Sequence, residues 1–99
     1  MAEQYEIINN EAAHRFETTV EGLLSQAAYR RSGNVITFTH TEVPEALSGR
    51  GIANQLAKYA LDYSRDNGLE VVPICPFISA YIKRHPEYQT LVRQFPSVG

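Results

Sequence analysis

The chain has 99 residues, enough for one compact domain and too few for two. Hydrophobic residues make up 43% and charged residues 20%, and the apolar ones recur along nearly the whole length, which excludes a long disordered chain. A formal net charge of −2 gives no strong attraction for phosphate backbones or anionic membranes, so nucleic acid is not expected as a partner, and no apolar run approaches the roughly 20 residues of a bilayer span.

The first half of the chain alternates. Phe16, Thr18 and Val20 fall on one side of a stretch whose other side carries Arg15, Glu17 and Thr19, the mark of a half-buried strand. Glu21-Gly22 interrupts it, Leu23 to Arg31 resumes an extended pattern, and Ser32-Gly33-Asn34 supplies the positive-φ chemistry of a second tight turn. Val35 to Val43 is rich in β-branched residues and is stopped by Pro44. Three antiparallel strands in a meander are expected, preceded by a short strand at Tyr5–Ile8. After Gly49-Arg50-Gly51 the period changes. Ile52, Leu56, Tyr59, Ala60 and Tyr63 recur at steps of three and four, an apolar stripe on a helix that Asn67-Gly68 ends. Leu69 to Ile74 reads as a short buried strand, and a right-handed strand–helix–strand crossover makes it parallel to the strand ending at Val43. The predicted fold class is therefore α/β with a mixed, mainly antiparallel sheet. Phe77 to Arg84 is expected as a short helix after Pro76, and Pro86 and Pro96 bracket a last helical piece at Glu87–Phe95.

Cys75 is the only cysteine, so no intramolecular disulfide can form, and Met1-Ala2-Glu3-Gln4 has neither the basic region nor the apolar stretch of a secretory signal. A reducing, cytoplasmic setting is the expectation. His14, His40, His85 and Cys75 have no short metal-ligand spacing, so no metal site is expected.

The most informative segment is the junction from Glu42 to Ala53, a strand joined to a helix N-terminus through a glycine-containing loop. Glycine lets a ligand approach the backbone, and the first-turn N–H groups of a helix have no intrahelical acceptors, so a phosphate or pyrophosphate can accept from several at once. Arg50 would add charge at the rim. The glycines could equally just shape a tight turn. A Walker loop would need Gly-Lys-Ser/Thr after four intervening residues, and the dinucleotide fingerprint from Gly49 would need Gly or Ala at Asn54; neither is present.

Ser48 to Ala53 resembles the Gln/Arg-x-x-Gly-x-Gly/Ala signature of the GNAT superfamily of acyl-CoA-dependent N-acetyltransferases, with Gly51 and Ala53 in the glycine and small-residue positions and Ser48 departing from the usual Gln or Arg. Together with His40-Thr41-Glu42-Val43-Pro44, Pro73-x-Cys75-Pro76-Phe77 and His85-Pro86-Glu87-Tyr88, the chain from about residue 5 to 90 is similar to a short single-domain branch of that superfamily. The resemblance implies acetyl-CoA as cosubstrate and an amine as acceptor, with the pantetheine arm lying between two splayed parallel strands. Main-chain groups of Glu42 and Val43 would pair with it, and Ser48, Gly49, Arg50, Gly51, Ile52 and Ala53 would hold the pyrophosphate. Pro73 independently favours the splay, because it lacks the N–H that a regular ladder needs.

Four residues are candidates for chemistry. Cys75 precedes Pro76 at a helix start, where the dipole favours a thiolate, although a lone cysteine in an apolar run is ordinarily a buried small hydrophobe. The resemblance adds that a cysteine here lies near the CoA thiol and has been considered as a nucleophile. His40 and Glu42 share one face of an alternating strand, with Ile36 and Phe38 further back on it, and either could take the proton of the attacking amine; equally, they could be a hydrogen-bonded histidine and a solvated strand end. Tyr81 is implied by resemblance as a donor to the departing sulfur, against plain core packing. Arg30-Arg31 or Lys83-Arg84 could meet the CoA 3′-phosphate. Two readings from other classes stay open: a non-catalytic CoA-binding or protein-interaction module, and a thiol enzyme unrelated to CoA. The acceptor and the oligomeric state are not legible.

Overall fold

Two two-residue turns, Glu21-Gly22 and Gly33-Asn34, fold the first half of the chain back on itself, with Val20 opposite Leu23 and Ser32 opposite Val35. Glu21, Gly22 and Gly33 take φ of 53°, 77° and 60°, the left-handed values that tight hairpin turns require. The computed structural model, which describes residues 3–93, has one five-stranded sheet in chain order: β1 (Ile8–Asn10), β2 (Arg15–Val20), β3 (Leu23–Ser32), β4 (Val35–Glu42) and β5 (Glu70–Pro73). The first four pair antiparallel, and β5 lies parallel to β4 after the crossover through α1 (Ile52–Asp66). The expected mixed sheet is what forms. Helix α2 (Pro76–Arg84) begins with Pro76 in its first turn, where the missing N–H removes no helical bond.

One face of the sheet carries Phe16, Ser25, Ala27, Tyr29, Ile36, Phe38 and Val71, all buried, and both helices pack on it to form a single apolar cluster. Phe16 sits at its centre, within 5.2 Å of the Tyr29 ring and 5.3 Å of the Tyr63 ring between centroids. The buried side of α1 is Ile52, Leu56, Ala57, Ala60, Leu61 and Ser64. The stripe is therefore rotated from the expected one, and Tyr59 stands 41% exposed with only its ring edge against Phe16. A tyrosine can cover the rim of a core with its ring while its hydroxyl stays wet.

Two terminal expectations shift. The short first strand lies at Ile8–Asn10, not Tyr5–Ile8, because the Tyr5 N–H donates to Gln55 Oε1 on α1 at 3.0 Å and the Gln55 amide donates back to the Glu3 carbonyl. The last helical piece is a 3-10 turn over Pro86–Leu91 that ends early, because Val92 pairs with Val71 and the Arg93 N–H donates to the Val71 carbonyl at 2.8 Å. Phe95 and Pro96, like Met1 and Ala2 at the other end, lie outside the described residues. Among the described residues no helix is long and apolar enough to cross a membrane.

The alternation of β4 reverses at one point. Ala28 faces His40 and Tyr29 faces Phe38, so β3 advances one residue where β4 advances two, and Thr39 is the extra residue of a bulge. Because the side-chain period of a strand is two, one inserted residue sends everything after it to the opposite face. Ile36 and Phe38 are buried against the helices, whereas His40 and Glu42 lie on the open face and Thr41 turns inward. The expectation that His40 and Glu42 continue the Ile36–Phe38 face is thus overturned.

Candidate functional site

Pro44 ends β4, a 3-10 turn over Glu45–Leu47 follows, and Ser48 to Gly51 lead into α1. Leu47 and Ile52 are 1% and 2% exposed, so the loop is pinned by a buried apolar residue at each end. Gly49 and Gly51 hold φ of 83° and 79°, and a Cβ at either would meet nothing within 4 Å. These glycines are thus needed for a left-handed backbone, and the space beside them is open. The first helical bond of α1 runs from the Gln55 N–H to the Gly51 carbonyl at 3.1 Å, and Gly51 has no side chain to cap the turn. The N–H groups of Ile52, Ala53 and Asn54 therefore have no intrahelical acceptor.

A cavity of about 450 Å³ opens over this loop. Of the residues predicted to hold the cofactor, Val43, Ser48, Gly49, Gly51, Ile52 and Ala53 line it; Leu47, Asn54 and Phe77 complete the lining without having been singled out. Arg50 does not line it. Its guanidinium is turned away to Glu21 in the β2–β3 turn, Nη1 to Oε2 2.6 Å. Glu42 does not line it either, and belongs instead to a neighbouring hollow of about 370 Å³ with Leu24, Thr41, Val43 and Pro44. Val43 is common to both.

The ladder between the two parallel strands includes Pro73 and stops there because β5 ends. Their pairing runs from Val35–Glu70 to Phe38–Pro73, then the Cys75 N–H reaches the Phe38 carbonyl at 2.9 Å, and β4 continues through Thr39–Glu42 with β5 already ended. Cys75 is 1% exposed, with Sγ 3.4 Å from Thr41 Oγ1. Neither residue lines the cavity over the loop.

The four catalytic candidates are not brought together. His40 Nε2 lies 3.6 Å from Glu42 Oε1, and both side chains are more than half exposed on the open face, opposite to the face on which Thr41 meets Cys75. Tyr81 is packed inside: its ring stacks on His85 with centroids 3.9 Å apart, burial pushes its hydroxyl above the ordinary tyrosine value, and it lines neither hollow. Tyr81 lies one turn of α2 beyond Phe77, which stands at the cavity wall. Among the described residues no three His, Cys, Asp or Glu side chains converge.

A family model described as GCN5-related N-acetyl-transferase matches residues 15–91. Protein NATD1 of Mus musculus and of Homo sapiens are each 44% identical over 62 residues, covering 63% of this chain and 56% and 55% of theirs, so the chain spans about half the length of the curated relatives it matches. A GCN5-like chain from Staphylococcus aureus, solved by solution NMR, superposes with a TM-score of 0.71 at 25% identity over 95% of this chain and 93% of its own. A bulged fourth strand, a parallel pair that ends at Pro73 and a glycine loop feeding a helix thus stand in a chain that belongs to the GCN5-related N-acetyltransferase family.

Proposed function

We propose that this protein is an acetyl-CoA-dependent N-acetyltransferase that passes an acetyl group directly to an amine. The observation that carries the reading is Val43, the residue common to the hollow over the glycine loop and the hollow beside Glu42. Acyl transfer needs the thioester carbon and the amine held within contact distance, and two hollows that share one residue can hold them so. The loop compartment fits the cosubstrate: it offers three uncommitted helix N–H groups, two glycines with open space beside them, and the apolar wall of Phe77 and Val43.

Bound there, acetyl-CoA supplies an acyl group activated as a thioester. The Val43 N–H is the donor we assign to the charge that develops on the carbonyl oxygen. Glu42, with His40 beside it, takes the proton that the amine must lose as its nitrogen bonds to the acyl carbon and the C–S bond breaks. Water, not Tyr81, returns a proton to the thiolate. Cys75 is a packing residue in this scheme, since its sulfur is buried and turned to Thr41. A single cysteine suits the reducing cytoplasm in which we place the activity.

Thiol release from acetyl-CoA across a panel of small amines and lysine peptides tests the proposal. Turnover with at least one amine is expected, and Glu42→Gln should lower kcat/KM by about 10²-fold or more while leaving acetyl-CoA affinity intact. Normal acetyl-CoA binding without turnover on any amine would instead support a non-catalytic CoA-binding module.

A further inference from the structure

The Glu21–Arg50 ion pair joins two turns 29 residues apart in the chain, and neither end is where local chemistry alone would put it. Glu21 occupies the first position of the β2–β3 turn at φ 53°, followed by Gly22 at φ 77°. Two consecutive left-handed residues favour Asn, Asp or Gly at the first position, and a glutamate side chain cannot fold back to support its own turn as those shorter ones do. Instead it reaches across to Arg50 at 2.6 Å. Arg50 lies between Gly49 and Gly51, in the four-residue stretch whose glycine Cβ positions would touch nothing. The Tyr5 hydroxyl and the Glu3 carboxylate also lie near the guanidinium, and the Tyr5 hydroxyl donates to Glu3 Oε1 at 2.9 Å.

We propose that Glu21 is a positioning residue for the anion-binding loop, holding Gly49–Gly51 in its cradle conformation through Arg50 although it lies outside the loop compartment. Packing anchors the loop at Leu47 and Ile52 only, and a segment with two glycines loses more conformational freedom on being fixed than any other kind. A side-chain tie at its middle removes part of that freedom before the ligand arrives, so less is lost on binding. The tie is made by Arg50 pointing away from the hollow, which leaves the helix N–H groups as the donors facing it. Glu21 is thereby a determinant of cosubstrate affinity and not of the chemical step.

The inference rests on the function proposed above, and the test separates the two. Acetyl-CoA affinity is measured by calorimetry for wild type, Glu21→Gln, Arg50→Ala and the double variant, alongside amide hydrogen exchange of Gly49–Ala53 without ligand. Glu21→Gln keeps the length of the side chain and removes its charge. Expected are an affinity about two- to fivefold weaker in Glu21→Gln, a double variant no weaker than Arg50→Ala alone, faster exchange at Gly49–Ala53 in Glu21→Gln, and an unchanged kcat at saturating acetyl-CoA. Equal or tighter binding in Glu21→Gln, or additive losses in the double variant, would overturn the positioning role, tighter binding marking Glu21 as a competitor of the bound anion. If wild type fails to bind acetyl-CoA, the functional reading fails by itself; exchange at Gly49–Ala53 unchanged by Glu21→Gln would then sink the tether as well.

Discussion

Single side chains report most sharply where their chemistry and their surroundings disagree. Ser25 Oγ is fully buried on the helix-facing side of β3 and is the one buried side-chain oxygen or nitrogen without a hydrogen-bond partner among the described residues. An unpaired hydroxyl costs about 1–3 kcal/mol in desolvation. Ser25→Ala should therefore be neutral or stabilising by up to about 1 kcal/mol in urea denaturation, despite touching the core; a loss above that would mean that the hydroxyl is satisfied in solution. Cys75 presents the reverse case, a reactive group in an inert place. Cys75→Ser should keep turnover and give intersecting double-reciprocal plots, since both substrates must be bound together; parallel lines in the wild type and an inactive serine variant would assign the sulfur a covalent role. The thiol was visible in the sequence, but its direction was not, because Thr41 turns toward it only by virtue of the bulge at Thr39.

At the level of elements, α1 and the last 3-10 turn are tied by Asp62. Its carboxyl accepts from the Tyr88 hydroxyl at 2.6 Å and from Lys58 Nζ at 2.8 Å. Burial pushes the Asp62 pKa up, the bonds from Lys58 and Tyr88 outweigh it, and the carboxyl is left below its ordinary value. A lowered folded-state value contributes stability above the ordinary carboxylate range, which is lost as pH falls from about 4 through the folded value. Asp62→Asn should cost about 1–2 kcal/mol at neutral pH and flatten the acid side of the stability profile; Glu17, lowered by hydrogen bonds from Arg15 and Asn10, keeps part of that slope in the variant. An acid limb identical to that of wild type would remove Asp62 from the account. The elements themselves were legible to within a few residues, because β-branched alternation, Gly-containing turns and the spacing of Ile52, Leu56 and Ala60 are local signals. The bulge was not. Thr39-His40-Thr41-Glu42 alternates as smoothly as a regular strand, and only pairing with β3 shows that one residue is extra. That single insertion moved His40 and Glu42 to the open face.

Taken as a whole molecule, the chain places a glycine loop between the end of β4 and the start of α1, and its remote contacts are what the sequence conceals. The cavity-lining residues Val43, Ser48, Gly49, Gly51, Ile52 and Ala53 are contiguous or nearly so, and their grouping could be read directly; Leu47 and Phe77 are ordinary apolar residues until the fold sets them at the same wall. Arg50 was expected at the rim because it is the charge nearest the glycines, and only the fold shows Glu21 taking it away. The central claim, that the Ser48–Ala53 loop and the start of α1 receive the cosubstrate, is tested most directly by titrating the ¹⁵N-labelled protein with acetyl-CoA and following the backbone amides. The account predicts saturable shifts concentrated at Val43, Gly49 and Gly51–Asn54, with the amides of the open face at Arg15 and Glu17 unmoved. Shifts centred elsewhere, or none at millimolar ligand, would contradict it.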